Sequence, residues 1–312
     1  MRALFVLAML IALPATAQQR IGLILGTATP GGGFEVYGAA LAKTIAEFDP
    51  LLVVTPRRTA GSVENVELLA AGTIDMALVQ GETAQDVFAA DKGAALPLRI
   101  VAAMYPTAGM FVVRADSPYR SIDDLRGQPV AFGARGSGLV ALARYVLDGI
   151  GLDMERDFVP VLLDRAGDGP ALLRDGRVAA LWGGGSGWPV FTAAMAAPGG
   201  GRFIAPNPDQ IARIRTRYPF LQAQTLPADA YPGQTQAVES VGSWSFILAR
   251  QGLSAAIVYR FCRALHRGAA QFAERLPQAG DSTVENTVAA LPRPDLLHPG
   301  ARRFLEGQGA LR

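Results

Sequence analysis

Short apolar runs alternate with amphipathic segments along the first part of the chain. The runs 21–25, 51–55 and 74–79 are apolar and rich in branched residues, a composition that favours strands. The segment after the first run places Leu41 and Ile45 at helical spacing. Continuous apolar strands separated by helices are typical of a parallel sheet that is covered on both faces. The pattern therefore predicts the α/β class.

Polar and glycine residues mark the ends of the predicted helices. Ser62 is predicted to cap the helix that follows it, and Gly72 to end that helix. Ser254 is predicted to cap a long amphipathic helix near the end of the chain. Residues 196–235 are rich in Pro, Gly and polar residues, and their pattern assigns them to no regular element.

Pro106 and Gly109 interrupt the apolar stretch in the middle of the first half. Because both residues are unfavourable inside a strand, the stretch is predicted to form two strands, 99–104 and 110–114. A further series of strands and helices follows, so the chain contains a second α/β unit.

The first residues have the pattern of a secretory signal peptide. Arg2 precedes an apolar run over 3–13, and the small residues 15–17 form a cleavage site, so removal is expected after Ala17. The run is too short to span a bilayer, which needs about 20 residues. The single cysteine, Cys262, is predicted to be a buried apolar residue, and a chain without disulfides suits the bacterial periplasm.

Charge and hydropathy narrow the possible partners. The formal net charge is +2, and acidic and basic residues are interspersed without a polybasic run. This distribution argues against nucleic acid and against a charged membrane surface as partners. No later segment has the length of a transmembrane helix. We expect a mature protein that is not embedded in the membrane, and we expect a monomer.

Catalytic and metal-binding motifs are missing from the sequence. The two histidines, His266 and His298, have no sequence neighbour that would make them a base or a metal ligand. The glycine-rich segment 26–33 lacks the spacing of a nucleotide-binding loop. We therefore predict no catalytic residue, no metal site and no cofactor.

Small polar loops stand where strands run into helices. Segments 31–33, 59–62 and 136–138 each precede a predicted helix, whose first N–H groups have no acceptor within the helix. Helix N-termini on one edge of a parallel sheet form a seat for a carboxylate or another small anion. The ligand-binding candidates from these loops are Gly32, Gly33, Thr59, Ser62, Ser137 and Gly138.

Side chains next to these loops add further candidates. Arg135 could pair with an acid group, and Gln80 offers both a donor and an acceptor just after a strand. Trp182 and Trp188 flank a segment of small residues that contains Gly187. These aromatic rings either wall a pocket or belong to the core.

Three stretches resemble one family of transport proteins. They are "TAGSVENVELLAAGTIDMALVQ", "SIDDLRGQPVAFGARGSG" and "LLHPGARRFL". The first is similar to a T-x-G-S-x-E-N pattern followed by A-G-x-x-D and V-Q. Over almost the whole mature sequence, the chain resembles the TAXI-type solute-binding subunits of TRAP transporters.

The resemblance implies a two-lobed fold of the periplasmic-binding-protein type II, with a mainly parallel sheet flanked by helices in each lobe. Lobe 1 would comprise 18–117 and 236–312, and lobe 2 would comprise 118–235. A small solute such as glutamate, glutamine or a related carboxylate would lie in the cleft. The protein would deliver it to small and large TRAP membrane subunits, possibly fused, for ion-coupled uptake. The residues implied as lining the site are Tyr37, Ser62, Asn65, Gln80, Ser137 and 182–189.

Some positions depart from that family's pattern. Gly81 and Glu82 stand where the family usually has Ser-Asp, and Leu139 stands where it has a threonine. These changes favour an acid that is less polar than glutamate or differently shaped. Two alternatives stay open: an exported enzyme on the same fold, and a binding module that serves a sensor or an ABC-type transporter.

Overall fold

A computed structural model describes residues 19–90 and 98–311 of the chain. The predicted signal peptide and the cut after Ala17 lie outside the described residues. The strands are β1 (Ile21–Gly26), β2 (Leu52–Arg57), β3 (Met76–Val79), β4 (Leu98–Arg114), β5 (Pro129–Ala134), β6 (Val159–Leu163), β7 (Ala180–Gly184), β8 (Gly201–Ile204), β9 (Gln222–Leu226) and β10 (Val238–Arg250).

The helices surround these strands. They are α1 (Gly33–Phe48), α2 (Ser62–Ala70), α3 (Gly81–Ala90), α4 (Gly138–Gly149), α5 (Gly169–Arg174), α6 (Pro189–Met195), α7 (Pro208–Arg217), α8 (Ala255–Arg267), α9 (Ala269–Arg275), α10 (Val284–Ala289) and α11 (Pro299–Gly307). In the described part of the chain, no helix has both the length and the apolar character needed to cross a bilayer.

The strands form a mixed sheet in the order β2-β1-β3-β10-β4-β7-β5-β6, with β8 also paired to β4 and β9 to β10. Strand β1 is parallel to β2 and β3, and β5 is parallel to β6 and β7. Strands β4 and β10 run antiparallel to their neighbours and join these two parallel groups. The predicted α/β fold with strands flanked by helices is confirmed, and the sheet as a whole is mixed rather than mainly parallel.

The long strands β4 and β10 pass through both halves of the molecule. One apolar core contains buried residues from Leu23 to Tyr105 and from Phe246 to Leu305. Two further core clusters contain buried residues from Ala108 to Val241. The core therefore changes from one half to the other within these two strands. The lobe boundaries at 117/118 and 235/236 stay predictions.

The prediction of two separate strands, 99–104 and 110–114, is wrong, because β4 is continuous over 17 residues. Pro106 pairs with Trp244 at a point where the register of the β4–β10 ladder shifts. A proline is tolerated at such an irregularity because the missing N–H interrupts no regular ladder bond.

The unassigned segment 196–235 contains β8, α7 and β9. Helix α7 begins with a capping box, in which Asn207 and Gln210 exchange hydrogen bonds of 2.9 Å. The two strands add to β4 and β10, far away in sequence. Their short sequences show no clear apolar pattern. Pairing with β4 and β10 stabilises them as strands.

The predicted side-chain caps of α2 and α8 do not form. Helix α2 begins at Ser62 itself, and the Ser62 hydroxyl accepts a hydrogen bond of 3.0 Å from the Gln80 backbone N–H. Ser254 does occupy the N-cap position of α8, but its side chain makes no capping bond. The Ser62 hydroxyl instead ties the start of α2 to the end of β3.

The single cysteine and one of the histidines have structural roles. Cys262 is buried, and burial raises the pKa of its thiol to about 12. His298 caps α11 by accepting the Gly300 N–H at Nδ1, while Nε2 lies 3.0 Å from the Leu253 carbonyl oxygen. Burial lowers the pKa of His298, which keeps the ring neutral for this role.

Candidate functional site

A cavity lies between the two halves, at the carboxyl ends of β1, β2, β3 and β5. Its volume, taken as the space that the centres of water molecules can reach, is about 60 Å³. One bound water needs roughly 10–15 Å³ on that measure. The cavity is therefore large enough for several waters or for one small solute.

Three helices begin at the cavity. Gly33 opens α1 after β1, Ser62 opens α2 after β2, and Gly138 opens α4 after β5. The first N–H groups of a helix have no acceptor within the helix, and this end carries partial positive charge. Three such ends from both halves of the molecule form a seat for a small anion.

Glycine at position 138 lets α4 approach the other half closely. A Cβ atom there would lie 2.5 Å from the Gln80 Cβ and 2.7 Å from the Ser62 Oγ. Gly61, the N-cap of α2, has a φ angle of 127°, which side-chain-bearing residues rarely adopt. The two helix ends can therefore face each other only with glycine at these positions.

Hydrogen bonds join the two halves around the cavity mouth. The Val63 N–H donates to the Gly136 carbonyl at 3.1 Å, and the Gly167 N–H donates to the Pro30 carbonyl at 3.1 Å. The Ala166 N–H donates to the Thr29 hydroxyl oxygen at 3.2 Å. The molecule is therefore in a closed arrangement, with its two halves in contact across the cavity.

Aromatic rings form one wall of the cavity. Phe34 and Tyr105 meet edge to face, with ring centroids 6.4 Å apart. The Trp188 ring packs so tightly over Gly183 that a Cβ there would overlap the ring. The backbone N–H of Trp188 donates to the Tyr231 hydroxyl at 2.8 Å. Trp188 is both a buried core residue and part of the cavity wall, so the two alternatives for this residue combine.

The cavity wall carries no charged side chain. Among the described residues that line it, none has a carboxylate, guanidinium or ammonium group. Burial raises the pKa of Tyr105, so its phenol is neutral. Hydroxyl, amide and backbone groups therefore supply the polar contacts.

Seven of the predicted site residues line this cavity: Gly32, Gly33, Ser62, Gln80, Ser137, Gly138 and Trp188. Five of them come from the loops that were identified by their position before helices, and Gln80 and Trp188 are the other two. The structure brings them together at one place, and their role in binding a solute stays a prediction.

Three other predicted residues lie behind the wall and bond to the fold. The Tyr37 hydroxyl is 2.7 Å from the Ser282 hydroxyl in a fully buried site. The Thr59 hydroxyl donates to the Thr27 carbonyl at 3.1 Å. Asn65 Nδ2 donates at 2.8 Å to the Thr27 and Leu78 carbonyls, which ties the ends of β1 and β3 together.

The last three predicted residues also lie outside the cavity lining. Arg135, just after β5, is exposed and does not line the cavity. Trp182 is buried in the core of the second half and donates from Nε1 to the Leu139 carbonyl at 2.8 Å. Gly187 approaches Gln278, whose Oε1 would lie 2.7 Å from a Cβ at that position.

Several lining residues were missed by the sequence interpretation: Thr29, Phe34, Tyr105, Thr107 and Gln278. Ser186 also lines the cavity and lies within the implied segment 182–189. Thr29 lies inside a small-residue loop that had been noted, so its position was a usable signal. Tyr105 and Thr107 lie in the middle of β4, and Gln278 lies close to the C-terminal end. Only the passage of the chain between the halves brings these three to the site.

Comparison with known proteins establishes the family. The profile of the NMT1-like family matches residues 25–309. The chain belongs to the NMT1-like family. The resemblance to TAXI-type subunits of TRAP transporters is thereby corrected, and TRAP membrane subunits are not supported as partners. The stretches that carried the resemblance contain the loops before α2 and α4 and the start of α11.

Solved structures support the fold. The alkanesulfonate-binding protein SsuA from Xanthomonas axonopodis pv. citri is 20% identical, with 92% of this chain and 84% of that chain covered and a TM-score of 0.50. A protein from Bordetella bronchiseptica is 18% identical, with coverages of 93% and 89% and a TM-score of 0.55. A putative L-cystine ABC transporter protein from Listeria monocytogenes is 14% identical, with coverages of 84% and 98% and a TM-score of 0.51. The chain has the two-lobed fold of periplasmic binding proteins, as expected.

Proposed function

We propose that this NMT1-like protein is the solute-binding protein of a transporter and holds one small organic acid in the cavity between its lobes. The observation that carries the proposal is the meeting of three helix N-termini at one cavity, at Gly33, Ser62 and Gly138. Solved proteins of similar fold include one that binds alkanesulfonates.

The chemistry of the wall limits the solute. Helix N-termini and hydroxyl groups suit one carboxylate or sulfonate group. The aromatic wall of Phe34, Tyr105 and Trp188 suits an apolar body attached to it. A second carboxylate, as in glutamate, would find no cationic side chain among the described lining residues. We therefore rank acids with a single anionic group, including neutral amino acids such as glutamine, above dicarboxylates.

Several contacts must act together to hold the solute. A micromolar solute binds with about 8 kcal/mol, whereas one hydrogen bond to a charged group contributes about 1.5–3 kcal/mol. The hydrogen bonds that join the two lobes around the cavity mouth form a seam, and these bonds break when the lobes separate. The solute would therefore stabilise the closed form, because its acid group is satisfied from both lobes only there.

Location and membrane partner belong to the same proposal. The signal-peptide pattern of the first 17 residues supports export to the periplasm. A structural neighbour that is described as a putative ABC transporter protein supports an ABC-type importer as the partner. A permease and an ATPase encoded beside this gene would agree with that partner. An isolated gene next to a sensor kinase would favour the sensor alternative.

A thermal-shift panel tests the binding function. Monocarboxylates, alkanesulfonates, aromatic acids and neutral amino acids are compared with dicarboxylates and amines. A solute at 100 times its Kd adds about 2.7 kcal/mol to stability, which raises the Tm of a chain this size by roughly 5–10 °C. Stabilisation by acids with one anionic group is expected. Stabilisation by amines alone would contradict the proposal.

Recovery of the solute separates binding from catalysis. The solute that stabilises the protein is incubated with it for hours, released by denaturation and analysed by mass spectrometry. A binding protein returns the solute unchanged. Conversion of the solute to another compound would support the exported-enzyme alternative.

A further inference from the structure

A carboxyl group is buried directly behind the cavity wall. Glu82 is fully buried in the first turn of α3, two residues after the lining residue Gln80. Its Oε1 accepts a hydrogen bond of 2.8 Å from the Ser243 hydroxyl on β10. In the described part of the chain, its Oε2 has no hydrogen-bond partner.

The close packing of α3 on β10 holds this carboxyl in place. A Cβ at Gly81 would lie 2.1 Å from the Ser243 hydroxyl and 2.4 Å from the Trp244 carbonyl oxygen. Helix α3 can therefore begin this near to β10 only because residue 81 is glycine. Burying a carboxyl group without a cation costs free energy. The neighbours of Glu82 should therefore show what its carboxyl group does here.

The neighbour of the carboxyl is the Gln80 amide. Gln80 Nε2 is buried and, among the described residues, has no partner of good geometry. Its Oε1 lies on the side of α4, 3.0 Å from where a Cβ of Gly138 would be. The Gln80 amide is close enough to Glu82 to favour the ionised carboxylate. The amide thus stands between the carboxyl behind it and the cavity in front.

We propose that Glu82 is a positioning residue: its carboxylate attracts the Gln80 NH₂ group, so that Gln80 presents its carbonyl oxygen to the cavity. This inference rests on the proposed function and deepens it. An acceptor next to the seat for the acid group selects solutes that carry a hydrogen-bond donor beside their carboxylate, such as 2-hydroxy acids or 2-amino acids.

The ionisation state of Glu82 controls this orientation. Burial raises the pKa of Glu82 to about 7, although the Ser243 hydroxyl opposes that rise by bonding to the carboxylate. Above this pH the carboxylate accepts from Gln80, and below it the neutral carboxyl no longer fixes the amide. Asp86 on α3 and Tyr145 on α4 are the other titratable groups that act on Glu82, and they are themselves hydrogen-bonded to each other.

The experiment follows the side-chain amide of Gln80 by ¹⁵N–¹H NMR between about pH 5 and about pH 9, without any solute. The Gln80→Ala variant assigns the resonance. In the wild type, we expect the amide shift to titrate with a midpoint near 7, the raised pKa of Glu82. A Gln80 resonance that does not change through this range would overturn the proposal.

Three variants assign the titration to Glu82. Glu82→Gln removes the ionisation with little change in shape, so the Gln80 titration should vanish. Ser243→Ala removes a bond that favours the carboxylate, so the midpoint should rise. Glu67→Gln, at an exposed carboxylate on α2, is the control and should leave the midpoint unchanged. A titration that persists in Glu82→Gln would refute the assignment, and the Ser243→Ala shift decides if Glu82→Gln fails to fold.

The selectivity is read with matched acids: lactate against propionate, and 3-phenyllactate against 3-phenylpropionate. Near pH 8, the wild type should bind the hydroxy acid about tenfold more tightly, the value of roughly one hydrogen bond. Glu82→Gln should reduce this preference. Equal affinity for both members of a pair would contradict the proposal that Gln80 presents its carbonyl oxygen to the cavity.

The two proposals fail in different ways. The NMR titration needs no solute, so a panel without any stabilising compound would remove the transport function and leave the coupling of Glu82 to Gln80 intact. A resonance that stays constant with pH would remove the coupling even where the panel identifies a solute.

Discussion

We propose that single residues at the cavity either contact a solute or support the wall. Ser137 is proposed to do both, because its hydroxyl caps α4 by accepting the Leu139 N–H at 3.2 Å and the residue lines the cavity. Asn65 supports the wall only, since its amide NH₂ group is used by two backbone carbonyls. Both residues lie at polar helix starts. Ser137 lines the cavity, whereas Asn65 is buried behind its wall.

Replacement of Ser137 tests the direct contact. Ser137→Ala should weaken binding of the stabilising solute about tenfold, as expected for one charge-assisted hydrogen bond, and loss of the cap should cost about 1 kcal/mol of stability. Ser137→Gly removes the same hydroxyl but costs only a few tenths of a kcal/mol as a cap. Isothermal titration should give both variants the same loss in affinity. An affinity equal to the wild type in Ser137→Gly would remove this hydroxyl from the site.

Replacement of Asn65 tests the supporting role. Asn65→Ala leaves the buried Thr27 and Leu78 carbonyls without this donor, which should cost roughly 2–4 kcal/mol of unfolding free energy. Urea unfolding measures the loss. A variant with wild-type stability but weakened binding would instead place Asn65 in direct contact with the solute.

At the scale of elements, the local sequence pattern predicted those strands and helices that local interactions stabilise. Strands β1, β2 and β3 and the helices after them follow apolar periodicity and glycine signals, and the glycine loops of the site were found the same way. Pro106 misled the interpretation because a bulge in the long β4–β10 ladder absorbs it. Strand β9 was missed because its partner β10 stabilises a short polar segment. Local sequence contains no information about such distant partners.

The same limit explains three lining residues that the sequence did not predict. Tyr105, Thr107 and Gln278 reach the cavity because β4 and the C-terminal segment cross between lobes. Their side chains carry no local signal, since each sits in an ordinary strand or turn context. Arg135 was predicted to pair with an acid because it adjoins a glycine loop, yet its side chain turns outward.

The junction of α3 and β10 offers a test at this scale. Gly81→Ala would push a Cβ into the Ser243 hydroxyl and the Trp244 carbonyl oxygen, so α3 must move. We expect a loss of about 1–3 kcal/mol, the usual cost of overpacking. Gly22→Ala on β1 is the matched control, because a Cβ there meets nothing within 4 Å. Equal melting temperatures of the two variants would contradict the close packing of α3 on β10.

At the scale of the whole molecule, we propose that solute binding depends on closure of the two lobes. The backbone bonds between Val63 and Gly136 and between Pro30 and Gly167 exist only when the lobes meet. Gly31 contributes to the same seam, since a Cβ there would lie 2.6 Å from the Gly167 Cα. A side chain at position 31 therefore opposes closure.

Gly31→Ala and Gly72→Ala separate closure from backbone strain. Both glycines have positive φ angles, 81° and 68°, but a Cβ at Gly72 meets nothing within 4 Å. Both variants should lose similar stability, whereas only Gly31→Ala should weaken solute binding, by about tenfold or more. Equal affinities in the two variants, measured by isothermal titration, would show that the seam at Gly31 does not limit closure.

The most direct test is a crystal structure of the protein with the acid that stabilises it most in the thermal-shift panel. The account predicts the acid group between the lobes, with its oxygens within hydrogen-bonding distance of the backbone N–H groups at Gly33, Ser62 and Gly138. An acid group that faces solvent, or that pairs with a cation such as Arg135 outside the cavity, would contradict it.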